Sequence, residues 1–244
     1  MRLLCVTAHP DDEAGGFGGT LLHYAQRGVE THILCLTPGQ AATNRGGAKS
    51  DDELAAMRRR EFAASCKILN VSHGEVLDYP DARLYRLDFY AVVEDLVRRV
   101  RSIRPQVVIT MGPEGSITAH PDHSMVSLFA TMAFHWAGRS NRFPEQLKQG
   151  LEAHQAQKLY YLTSTFTIPE RPPVLLPPIT AVIDAAEFTE AKIAAFKAHS
   201  SQAPLFARIE STLHKRGGKE YFHLAAAAKP GPVEQETDLF AGVV

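Results

Sequence analysis

An α/β fold is expected for this chain: a Rossmann-like, mostly parallel sheet flanked by helices on both faces, in three αβα layers. Two observations predict it. Short apolar runs alternate with longer amphipathic segments through the first half. The polar clusters fall just after apolar runs, at the carboxyl ends of strands, where ligands bind in such sheets.

The elements can be taken in order. Leu3 to Thr7 reads as a buried strand, Gly16 to Arg27 as a helix stopped by Gly28, and Thr31 to Thr37 as a second strand. A polar, Gly-containing loop follows from Pro38 to Lys49; its part from Gly39 to Gly47 could cover a substrate or simply connect. Ser50 with Glu53 forms a capping-box signature for a helix running to Leu69. Glu75 to Tyr79 reads as a short strand. Asp88 to Ile103 reads as an amphipathic helix stopped before Pro105, and Val107 to Met111 as another strand. A helix is expected from Asp122 to Ala137. The second half is less regular, with strand signals at Lys158 to Leu162, Thr180 to Ile183 and Tyr221 to Leu224, and a helix from Phe188 to His199. Pro169-Glu170-Arg171-Pro172-Pro173 and Pro177-Pro178 mark a stiff loop. One domain is expected over 1–228, and residues 229–244, rich in Pro, Gly and acids, form a candidate mobile tail.

The bulk numbers exclude several classes. The 244 residues carry 26 basic and 27 acidic side chains, with 45% hydrophobic and 22% charged residues, an ordinary balance for a globular protein. A nucleic-acid binder would show a basic excess, and the run Arg58-Arg59-Arg60 is too short to supply one. Cys5, Cys35 and Cys66 are odd in number and lack C-x-x-C spacing, so neither a disulfide framework nor a thiolate metal site is indicated. No signal peptide is visible and no apolar run approaches the roughly 18 residues of a membrane span, so a cytoplasmic location is expected. Gly15, Gly16, Gly18 and Gly19 follow the first strand, but Leu21 stands where a dinucleotide fingerprint needs its last Gly. Close helix–sheet packing is the better reason for them.

Two clusters carry chemistry. Ala8-His9-Pro10-Asp11-Asp12-Glu13 follows strand one, and Ala119-His120-Pro121-Asp122-His123 lies in the loop after the strand at 107–111. Pro suits the first turn of a helix, and residues three apart on a helix share a face. His9 and Asp12 can point into one spot, as can His120 and His123, and both spots can share one crevice. A catalytic zinc site commonly takes three nitrogen or oxygen ligands and keeps a position for water, a count that two histidines and a carboxylate meet. The remaining carboxylate and histidine are then free for proton transfer in metal-assisted amide hydrolysis. A lone His-Pro-Asp would be a capping acid beside a loop histidine; two, each at a strand end, are improbable by chance.

The run from Val6 to Glu13 with His120-Pro121-Asp122-His123 resembles the PIG-L or LmbE-like family of zinc-dependent N-acetylglucosaminyl deacetylases. Arg58 with Glu61 looks like that family's Arg-x-x-Glu helix, and Lys192 to Gln202, with His199, Ser201 and Gln202, looks like its later segment. The resemblance implies His9, Asp12 and His123 as metal ligands, Asp11 as general base, and His120 as stabiliser of the tetrahedral intermediate or proton donor to the leaving nitrogen. It implies Glu13 and Arg58 as contacts to sugar hydroxyls. Some members carry a Tyr where this chain has Thr118, so any tyrosine role must come from elsewhere, or His120 and the metal suffice. Without the family position, Arg58 with Glu61 would be a solvated ion pair, Lys192 a helix-surface residue and His199 a partner of the helix C-terminal dipole. Asp78 and Asp81 are turn residues or orient a ligand histidine.

The expected activity is removal of the N-acetyl group from an N-acetylglucosamine conjugate by metal-activated water, with N-acetylglucosaminyl malate of bacillithiol synthesis as the preferred substrate. Zn2+ is the expected cofactor, and Fe2+ or another divalent metal tolerates the same ligands. Alternatives are an amidase on another amino-sugar or thiol conjugate, a metal-dependent phosphoesterase, and a non-catalytic binding protein. The phosphoesterase would need carboxylates for two metals; the binding protein should have lost Asp11. The expected partner is a small-molecule amino-sugar conjugate. A homo-oligomer is compatible with the sequence, through the Pro-rich loop or the apolar Leu239-Phe240.

Overall fold

The computed structural model describes residues 1–168, 174–215, 218–229 and 231–244. Strands β1 (Arg2–Thr7), β2 (Glu30–Cys35), β3 (His73–Val76), β4 (Val107–Thr110) and β5 (Lys158–Thr163) run parallel. Between β5 and β6 (Ala181–Asp184) lies β7 (Lys219–Ala227), antiparallel to both. The seven-stranded order is β3-β2-β1-β4-β5-β7-β6. The connectivity reverses between β1 and β4, which makes their carboxyl ends the crevice of the sheet.

The helices are α1 (Asp12–Gln26), α2 (Asp51–Ile68), α3 (Phe89–Ile103), α4 (Pro121–Ala137), α5 (Pro144–Lys148), α6 (Thr189–Lys197) and α7 (Ala203–Lys215). The cap at Ser50 is the one the sequence names, and Asp88, expected as the first helical residue, caps α3. Ser50 Oγ accepts from the Glu53 amide at 3.1 Å, while the Glu53 carboxylate reaches Lys49 N at 2.7 Å, one residue beyond the usual box. Asp88 Oδ1 accepts from Ala91 N at 2.8 Å. The helices α5 and α7 were not anticipated. In α7, Phe206 and Leu213 are buried, and both belong to the core that α6 joins.

Alternation along β1 divides the core in two. Leu3 and Cys5 face one layer with Phe17 and Leu21 of α1 and Phe196 of α6. Leu4 and Val6 face the other with Val93 of α3 and Phe129 of α4. β1 is buried on both faces, as a central parallel strand should be. All three cysteines are free and buried, as small apolar residues. The α1 glycines meet the expectation of close packing: a Cβ on Gly19 would stand 2.7 Å from Ala185 Cβ, and one on Gly16 2.8 Å from Leu162 Cδ2.

Several expectations are revised. Lys192 is not a surface residue; its Nζ lies 2.6 Å from Glu220 Oε1 in a buried pair, and Glu220 also accepts from Gly19 N and Thr20 N. Within residues 231–244, for which composition suggests mobility, individual side chains contact the sheet. Glu236 bridges to Ala181 and meets Lys158 and Tyr160. Tyr24 Oη donates to Asp238 at 2.9 Å. Leu239 and Phe240 are buried within this chain, which removes them as assembly contacts. The Pro169–Pro173 run lies outside the described residues. Among those residues, no helix is long and apolar enough to cross a membrane.

Lys192→Met is expected to destabilise the fold by about 3–5 kcal/mol, because it leaves the Glu220 carboxylate buried without its cation. Urea denaturation measures this, and Lys192→Met/Glu220→Leu should recover a large part of the loss.

Candidate metal centre and active site

Pro10 and Asp11 turn the chain from β1 straight into α1, four residues earlier than the pattern suggested. The backbone at Asp11 has φ 132°, a region that costs on the order of 1–3 kcal/mol and persists only when neighbours hold it. Those neighbours are explicit. Asp11 N donates to Glu13 Oε2 at 2.9 Å, and Arg58 Nη2 donates to Pro10 O and, at 3.0 Å, to Asp11 Oδ2. Arg58 Nη1 donates to Gly39 O at 3.0 Å. Gly39 has φ 66°, and a Cβ there would collide with the guanidinium.

The loop after β4 brings the second cluster to the same crevice. His120 caps α4, its Nδ1 accepting from Asp122 N at 3.2 Å, and Pro121 fills the first turn. His9 and His120 rings meet at 4.9 Å between centroids, His9 and His123 at 5.4 Å, and His120 and His123 at 5.0 Å. A ring nitrogen from each lies within 4.8 Å of the others.

Asp12 ties the two clusters together. Its Oδ2 accepts from His9 N at 2.8 Å and Ala8 N at 3.2 Å, and stands 3.6 Å from His9 Nδ1. Its Oδ1 stands 3.2 Å from His123 Nε2. The far nitrogen of each ring already has acceptors. His9 Nε2 faces Asp81 Oδ1 at 3.1 Å and Asp122 Oδ2 at 3.4 Å. His123 Nδ1 faces Gly115 O at 3.3 Å and Thr118 Oγ1 at 3.2 Å. With the protons assigned from these partners, both nitrogens that face Asp12 present lone pairs to an anionic oxygen. Such an arrangement calls for a cation, and two imidazoles with a carboxylate suit a borderline divalent metal.

The electrostatics agree with that need. Burial lowers the His9 ring, but the carboxylates of Asp12, Asp122 and Asp81 outweigh it and hold it well above its ordinary value. Burial pushes the Asp11 carboxyl up to about 6, against the pull of Arg58. Burial, with His9 and His123 alongside, takes His120 down to about 4.

The sequence-named residues therefore divide. His9, Asp11, Asp12, His120 and His123 converge. Glu13 and Arg58 stand beside Asp11, each in hydrogen bonds within the chain. Glu13 is fully buried, its carboxylate occupied by Ser65 Oγ and His199 Nε2, each at 2.6 Å, and by Asp11 N. Arg58 is 2% exposed and braces Asp11. It is not paired with Glu61, which instead accepts from Ser200 and Ser201. His199, bland by itself, is buried against Glu13. Asp81 does orient His9, and its Oδ2 also takes Ala41 N at 2.8 Å, pinning the loop after β2. Asp78 points outward to Arg59. Asp122, without an assigned role, also holds Ala82 N at 2.7 Å and Leu84 N at 3.3 Å. Its place between two histidines was the available signal.

The PIG-L family model, described as GlcNAc-PI de-N-acetylase, matches residues 4–134, from β1 into α4 and including both clusters. The chain belongs to the PIG-L family. One relative is the 1D-myo-inositol 2-acetamido-2-deoxy-alpha-D-glucopyranoside deacetylase of Salinispora arenicola, 32% identical over 99% of this chain and 91% of its own length. Another is the diacetylchitobiose deacetylase of Thermococcus kodakarensis, 31% identical over 83% of this chain and 70% of its own. The solved N,N'-diacetylchitobiose deacetylase of Pyrococcus horikoshii superposes with a TM-score of 0.77 at 26% identity, covering 91% of this chain and 83% of its own. The resemblance read from the two His-Pro-Asp clusters, and the layered α/β fold, are both borne out.

Asp81→Ala is expected to weaken divalent-metal affinity about 10–100-fold, by freeing His9 from its orienting carboxylate. Equilibrium dialysis reads the change; unaltered affinity would remove Asp81 from the support of the site.

Proposed function

We propose that this PIG-L family member is a metal-dependent hydrolase that removes the N-acetyl group from an N-acetylglucosamine conjugate. His9, Asp12 and His123 hold the metal, and zinc is the favoured ion. The observation that carries the reading is the convergence of two histidine nitrogens on the Asp12 carboxylate, with Asp11 beside it. When bound, such an ion lowers the pKa of water and polarises a carbonyl.

The chain's own residues supply the rest. Arg58 holds Asp11 Oδ2, leaving Oδ1 to accept the proton of the attacking water. His120 Nδ1 accepts from Asp122 N, so Nε2 carries the ring's proton and is the atom that donates a hydrogen bond to the developing oxyanion. Oxygen adds to the amide carbon, the carbon–nitrogen bond breaks as the proton collected by Asp11 passes to the leaving nitrogen, and acetate and the free amine result. Glu13 acts by positioning Asp11.

For the conjugate, the deacetylase names of the relatives favour the broad class of N-acetylglucosamine glycosides. N-acetylglucosaminyl malate is one member, and nothing singles it out. A two-metal phosphoesterase is disfavoured. The extra carboxylates near His9 are those of Asp81 and Asp122, and these are engaged by the amides of Ala41, Ala82 and Leu84.

Asp11→Asn is expected to keep its metal and lose at least about 100-fold in turnover, the lower end for a positioned proton acceptor. Acetate release from N-acetylglucosamine conjugates, run beside p-nitrophenyl phosphate, checks both chemistries; phosphate release without acetate would overturn the reading. Asp12→Ala and His123→Ala should each cut the bound metal measured by elemental analysis. Full occupancy in both would refute the ligand set.

A further inference from the structure

A second group of metal-ligating side chains lies at the opposite end of the strands. Glu30 and His32 are two apart on β2, hence on one face, and His73 on β3 is the register partner of His32. His32 Nε2 is 2.9 Å from Glu30 Oε1, and His73 Nε2 is 3.7 Å from the same oxygen. The two rings stack at 4.9 Å between centroids, and one ligand atom from each of the three residues lies within 4.8 Å of the others.

We propose that Glu30, His32 and His73 form a second, peripheral site for a borderline divalent ion such as Zn2+, Ni2+ or Cu2+. Two imidazoles and a carboxylate are the donors such ions prefer over Mg2+ or Ca2+. The support around the donors fits this use. Arg2 Nε holds Glu30 Oε2 at 3.1 Å and leaves Oε1 turned toward the rings. His73 is exposed, and His32 and His73 line a groove of about 550 Å³, ample for an ion and its waters.

The site has a structural consequence. β3 has four residues and pairs only with β2, at the edge of the sheet. An ion shared by His32 and His73 clips that edge strand to its neighbour and stabilises the folded chain by mass action.

The test uses tag-free protein of residues 1–244 already loaded at the His9–Asp12–His123 centre and titrated with ZnCl2 in a calorimeter. One additional equivalent per chain is expected, accompanied by a rise in Tm. His73→Ala, which removes an exposed ring, should abolish both the extra equivalent and the Tm rise without changing turnover; Glu30→Gln should weaken uptake at least tenfold. Cu2+ bound to the same protein should show two-imidazole coupling in electron paramagnetic resonance, lost in His73→Ala. Identical uptake by wild type and His73→Ala, or coupling unchanged by the substitution, overturns the proposal. His9→Ala keeps the peripheral equivalent and loses the other, so failure at one centre is distinguishable from failure at the other.

Discussion

A carboxylate shared between two histidines from distant parts of the chain sets the terms for the rest of this molecule. Asp12 is fastened by the amides of Ala8 and His9, so it cannot swing away from the ring nitrogens it faces. Each of those rings is fixed from behind, His9 by Asp81 and Asp122 and His123 by Gly115 and Thr118. Pre-organisation of this kind is what lets a small cluster bind a cation tightly and specifically.

The fold meets that demand through topology. The loops after β1 and β4 face each other because the strand order reverses between them, and helices α1 and α4 begin directly at the two clusters. The unusual backbone at Asp11 is the cost of turning from strand to helix so abruptly, and the buried set Arg58, Glu13 and His199 offsets it. Charges so deep would destabilise the fold if left alone. Here each is answered by an opposite charge or a backbone group, which converts a desolvation penalty into rigidity.

The peripheral Glu30–His32–His73 group arises from a different geometry. Neighbouring parallel strands in register bring side chains of one face together without any loop, so a pair of histidines and an acid two residues away suffice. Its exposure and its distance from the crevice separate it from the chemistry proposed for the His9 centre.

By itself, the sequence determined the alternation of strands and helices, the cap at Ser50, and the two His-Pro-Asp clusters. These are local signals: periodicity, capping chemistry and spacing of three on a helix turn. It also carried the family, since the clusters are contiguous. Tertiary structure alone decided which face of the crevice each residue serves. Glu13 stands one residue from Asp12, yet its side chain points inward to Ser65 and His199. Arg58 and Lys192, which look like surface charges along their helices, are buried because Asp11 and Glu220 come from elements far away in the chain. Asp81 and Asp122 earn their places only when the turn after β3 closes over α4. The apolar end at Leu239-Phe240 finds its partner in Tyr24, more than two hundred residues earlier. Such pairings depend on long-range contacts, and no window of neighbouring residues contains both halves of them.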